Sequence, residues 1–139
     1  GSPLVATLDR AGSDAALVPE SGVGAAVAAS SLVLLDASAV GPGGFLAVAG
    51  SRAAAAVAYT EQIPVWVVAG VGRVLPERLW AAMVGAVTAV GAPWDADWEV
   101  VPLELATAVV GPDGPQSPAD ALARADCPDA PELTGGAVG

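Results

Sequence analysis

The sequence contains no histidine and no lysine. Without imidazole it lacks the usual general base near neutrality and the commonest metal ligand. Five arginines face fifteen aspartates and glutamates, a formal net charge of −10. That balance leaves no basic patch for a phosphate backbone, so no nucleic-acid partner is expected. It favours solubility instead. A single cysteine, Cys127, excludes an internal disulfide and a cysteine-based zinc site. No basic segment followed by an apolar run opens the chain, so the reading is a reducing, cytoplasmic compartment. No apolar run approaches the roughly 20 residues a membrane span needs, because Ser, Asp, Gly or Pro interrupts each one. No membrane association, metal or cofactor is expected.

What is present is alanine, valine and glycine. Apolar residues make up 54% of the 139 positions, enough for one domain with one core. Gly1-Ser2 reads as the remnant of a cleaved expression tag. Pro3–Ala11 is a short helix candidate ending at Gly12. Ala15–Pro19 reads as a short buried strand, and Ser21–Ala29 as a helix with Ser21 as N-cap. Ser31–Leu35 and Pro64–Ala69 are apolar on both faces, as buried parallel strands are. Gly41-Pro42-Gly43-Gly44 is a loop. Ser51–Tyr59 is an alanine-rich helix, and Leu75–Val90 has helical spacing with Pro76 in its first turn. Pro93–Asp97 breaks that pattern. Leu105–Val110 is a last strand, with one further helical turn at Pro118–Arg124.

This alternation of helix and strand predicts an α/β, Rossmann-like three-layer domain: a mainly parallel sheet with helices on both faces. The domain is expected over residues 3–114, followed by a Pro/Gly-rich tail over 115–139. Ligands of such sheets bind beyond the carboxyl ends of the strands. Gly50-Ser51-Arg52 opens a helix, where backbone N–H groups, the Ser51 hydroxyl and Arg52 can hold a phosphate. The competing role is an ordinary N-cap with a solvated arginine. Asp95, Asp97 and Glu99 alternate beside Trp94 and Trp98. They lack the glycine and terminal glutamate of a calcium loop, and read as a solvated loop. Trp80, Trp94 and Trp98 are candidates for an interface. Gly22 and Gly24 do not make the dinucleotide fingerprint, since Val27 holds the third glycine's place.

Several stretches together resemble one superfamily. Val18-Pro19-Glu20-Ser21-Gly22-Val23-Gly24 is similar to an aspartate-serine strand end with its small-residue helix, Glu20 replacing the aspartate. Leu32–Val40 is similar to a strand ending in Gly-Ala-Asp-Ala-Val. Ala47-Val48-Ala49-Gly50-Ser51 falls where Asn-Lys-x-Gly-Thr opens a helix. Ile63-Pro64-Val65-Trp66-Val67 matches a Val-Pro-Val-Tyr-Val strand, and Pro102–Gly114 resembles the closing Pro-x-Glu-Leu-Ile-Thr motif. The family is that of methylthioribose-1-phosphate and ribose-1,5-bisphosphate isomerases and the regulatory subunits of translation initiation factor 2B. The resemblance is to its C-terminal domain.

The resemblance implies a site that this sequence has altered. Ser38 stands at the family's acid/base aspartate, and a serine hydroxyl does not titrate near neutrality. Asp36, two residues earlier, is the one replacement carboxylate. Ala47-Val48 replace the substrate-binding Asn-Lys pair. The family's catalytic cysteine lies upstream, and Cys127 is no substitute. Glu20 and Ser21 are expected to line the same crevice. The expected function is therefore a non-catalytic binding or assembly module, a homodimer, with residual binding of a sugar phosphate. The alternatives are an aldose-ketose isomerase using Asp36, and a translation-factor regulatory subunit.

Overall fold

The structure, a computed structural model, describes residues 16–89 and 91–124. In chain order it shows a 3-10 turn at Glu20–Gly22, α1 (Val23–Ala28), β1 (Val33–Ala37), β2 (Ala39–Gly41), β3 (Gly44–Val48), α2 (Ser51–Thr60) and β4 (Val65–Ala69). Then follow α3 (Glu77–Thr88), a 3-10 turn at Pro93–Asp95, β5 (Trp98–Pro102) and a second such turn at Leu103–Leu105. The last elements are β6 (Ala108–Gly111), β7 (Gly114–Gln116) and α4 (Pro118–Ala123).

Three of the expected strands become parallel neighbours. β1 pairs with β4, and β4 with β6, while β7 turns back antiparallel on β6. The class is the expected one, mixed α/β with a mainly parallel sheet. A second sheet was not expected. β2, β3 and β5 form an antiparallel three-stranded sheet, and Gly41–Gly44 is its hairpin turn.

The strand alternation divides each sheet into two faces. Val33, Leu35 and Ala37 of β1, Val65, Val67 and Ala69 of β4, and Val109 of β6 meet one core. Phe45, Ala47 and Val101 enter it from the hairpin sheet, and Val27, Ala54, Ala55, Ala58 and Ala121 from α1, α2 and α4. The alanine stripe of α2 lets the helix approach closely. On the far side of the hairpin sheet, Ala39, Leu46, Leu75 and Trp80 form a second cluster, backed by Met83 and Val87 of α3.

Trp80 is buried in that cluster at 7% exposure, which corrects its place among the candidate interface tryptophans. A Cβ on Gly41 would overlap its ring, and one on Gly44 would come within 3.1 Å of it. The glycine-rich hairpin is therefore the seat of the indole as well as a turn.

Three further expectations change. Ala16–Pro19 forms no strand, and Ala15 lies outside the described residues. Leu17 and Val18 are exposed and Val18 leans on Gly22, and among the described residues no strand pairs with this segment. Ser21 lies inside the 3-10 turn and caps nothing; Gly22 holds the N-cap position of α1 without a side-chain bond. The last parallel strand begins at Ala108, because Leu103–Leu105 coils first. Thr107 joins it to β4: its hydroxyl accepts from Val65 N–H at 2.9 Å and its own N–H donates to Val65 O at 2.8 Å. Pro118–Ala123 is helical as expected, with the Ser117 hydroxyl accepting from Asp120 N–H at 3.2 Å. The helix candidate Pro3–Ala11 and Cys127 lie outside the described residues.

Candidate functional site

The start of α2 is the best-defined polar feature of the domain. Gly50 precedes the helix with φ of +98°, a left-handed conformation that favours glycine. It directs the first amides of the helix outward, towards a negative group. That group is already there. Glu99, on β5, accepts from Arg52 N–H at 2.7 Å and from Gly50 N–H at 3.2 Å through the same Oε2 oxygen. Pairing of β3 with β5 sets this up, since Ala47 opposes Glu99 and Val48 opposes Trp98. The donors that suggested a phosphate site from sequence are used by the chain's own carboxylate. Ser51 is buried beneath the first turn at 7% exposure.

The other candidate residues divide among different surfaces. Glu20, Gly50 and Ser51 line one cleft of about 330 Å³, with Val23, Leu35 and Val48 around them. Arg52 lines another hollow, beside Trp94, Trp98 and Glu99. Ser21 is exposed and lines neither.

Asp36 is brought to none of these. Leu35 faces the core and the Glu20 cleft. Alternation along β1 places Asp36 on the opposite face of the sheet, exposed and in register with Val68. Ser38 follows the strand end. Its N–H donates to Leu46 O at 2.8 Å, and its carbonyl accepts from Arg73 Nη1 at 3.2 Å.

The open face that carries Asp36 is otherwise apolar. Leu34, Trp66 and Ala108 lie side by side on it, and Val68 and Val110 continue the row from Asp36. Leu34 is 61% exposed and Val68 38%. The carboxyl ends of β4 and β6 hold a smaller cleft of about 220 Å³, with Gly70, Asp113, Gln116 and Arg124 in its lining. Sequence reasoning marked this edge from the strand order but missed Gln116 and Arg124, which it assigned to the tail. Among the described residues, no group of three or more Cys, Asp or Glu could hold a metal ion. No described helix is long and apolar enough to cross a membrane.

These features define a mixed α/β domain whose mainly parallel sheet is joined to an antiparallel hairpin sheet. Solved structures share this fold. The chain is similar to the tetrameric eIF2B beta2-delta2 complex of Chaetomium thermophilum, with a TM-score of 0.69 and 23% identity over 88% of this chain and 39% of that one. It is similar to the delta subunit of the translation initiation factor eIF-2B from A. fulgidus, with a TM-score of 0.66 and 20% identity over 81% and 38% of the two chains. It is also similar to 5-methylthioribose 1-phosphate isomerase from Pyrococcus horikoshii, with a TM-score of 0.64 and 15% identity over 80% and 36%. The chain thus spans well under half the length of each. No protein-family profile and no curated protein matches the sequence.

Proposed function

We propose that this chain is a non-catalytic, cytoplasmic module of the fold, acting by assembly with other protein surfaces, first of all a second copy of itself. The observation that carries this reading is the fate of the two candidate polar groups. Glu99 covers the helix amides that would hold a phosphate, while Asp36 faces the other side of β1. An isomerase needs both functions on one substrate, with the acid/base group within hydrogen-bond reach of the transferred proton. A sugar phosphate at Gly50-Ser51-Arg52, with Glu20 alongside, would have to displace a carboxylate tethered to the same fold. Translation-factor subunits in a tetrameric complex share the fold, which supports assembly as the surviving role.

The partner surface we assign is the open sheet face with Leu34, Trp66 and Val68, since exposed contiguous apolar surface marks interaction sites. The test combines two measurements. Titration calorimetry with ribose-1,5-bisphosphate should give no saturable heat, and sedimentation should show a dimer that Leu34→Glu converts to a monomer. Saturable binding abolished by Arg52→Ala, together with a monomer at every concentration, would overturn the reading.

A further inference from the structure

At the C-terminal end of α3 the proposed assembly role leaves a lined cleft unused. Two hollows, of about 400 and 450 Å³, share Val87, Gly91, Ala96 and Trp98 and so lie side by side in one depression. Its size lies within the range of small-ligand sites, roughly 300–1,000 Å³. Two of the four tryptophans of the chain line it. Trp94 is 85% exposed and Trp98 43%, whereas Trp80 is buried and Trp66 half-buried. Indoles left in water are unfavourable, and they become useful only when something covers them.

The charge around the indoles is one-sided. Asp95 and Asp97 line the first hollow, and no basic residue does. Glu99, in the second hollow, is engaged with the α2 amides, and Arg52 lines that side only. The rim is held in place by its backbone. Asp95 N–H donates to Ala92 O at 3.1 Å, and Asp97 O accepts from Ala49 N–H at 2.9 Å, tying the loop to the end of β3. The depression therefore exists before any ligand arrives.

Indole faces attract cations and carboxylates attract them further, while Val87 and Ala96 in the same lining favour an apolar stem over a strongly hydrated metal ion. The geometry points to a binding site for a small organic cation, an ammonium or quaternary ammonium group on a short apolar stem. The cation lies between Trp98 and the Asp95 and Asp97 carboxylates, its stem lies over Val87 and Ala96, and Trp94 closes over it.

The test uses choline against 3,3-dimethylbutanol, its neutral isostere, with the four indole N–H signals followed by NMR. Choline should shift the Trp94 and Trp98 signals with saturation and leave those of Trp66 and Trp80 in place. Its affinity should exceed that of the alcohol by about tenfold, the scale of one good cation–π contact. The double change Asp95→Asn and Asp97→Asn, on an exposed loop, should lose that preference while the spectrum stays folded. Equal responses to choline and the alcohol would overturn the proposal. So would a response to calcium alone, or to a lysine-rich peptide but not choline.

Discussion

Glu99 accepts a hydrogen bond from the Arg52 backbone N–H at 2.7 Å, although 47 positions separate the two residues. A strand of the hairpin sheet thereby supplies the cap that α2 does not supply for itself. Removing it in Glu99→Ala should cost about 0.5–2 kcal/mol, the range for loss of an N-cap. Glu99→Gln keeps an acceptor oxygen and should lose less, only the helix-dipole contribution of about 0.3–1 kcal/mol. Urea denaturation of the two variants checks the order. Equal losses would show that the charge, not the hydrogen bond, is what matters.

The hairpin glycines make a sharper contrast. Gly41→Ala should be strongly destabilising, by about 1–3 kcal/mol or more, because the added methyl overlaps the buried Trp80. Gly85→Ala lies in α3 with open space around it and should stabilise by about 0.5–1 kcal/mol. Thermal unfolding of the pair measures both signs in one experiment.

Thr107 holds the entry to two parallel strands. In Thr107→Val the shape is kept but Val65 N–H loses its acceptor next to the core. The expected loss is about 1–3 kcal/mol, the cost of an unsatisfied buried donor. Thr107→Ser keeps the hydroxyl and should recover most of it, as denaturant midpoints would show.

Much of the parallel sheet was legible in the sequence, and the reason is physical. Ser31–Leu35 and Pro64–Ala69 are continuous apolar runs, the pattern of a parallel strand, although Leu34 and Val68 on one face of the sheet stand exposed. The hairpin sheet was not legible. Gly44–Val48 follows a glycine-rich loop that reads as irregular, and Trp98–Pro102 follows a proline break and two acids. Each strand is defined by its partner rather than by its own pattern. Ala15–Pro19 differs for the opposite reason: it has strand-like residues, and among the described residues Ala16–Pro19 has no strand beside it. Of the candidate site, Gly50-Ser51-Arg52 was correctly read as a helix start. The carboxylate that occupies it comes from β5, and no local signal could reveal that pairing. The opposite orientation of Asp36 follows from strand parity, but only once Leu35 is known to face the core.

The open sheet face should respond to charge. Leu34→Glu places a carboxylate beside Trp66 on a surface already in water. Monomer stability should change by less than about 0.5 kcal/mol, as for exposed positions. Association should weaken markedly, since a buried unpaired charge at an interface is costly. Sedimentation velocity across a concentration series separates the two effects.

The central claim is the absence of isomerase chemistry, and a direct turnover assay tests it. The chain is incubated with ribose-1,5-bisphosphate and with methylthioribose-1-phosphate, and the ketose product is followed alongside an Asp36→Asn variant. The account predicts rates equal to the buffer blank for both proteins and both substrates. Turnover above the blank that disappears in Asp36→Asn would contradict it.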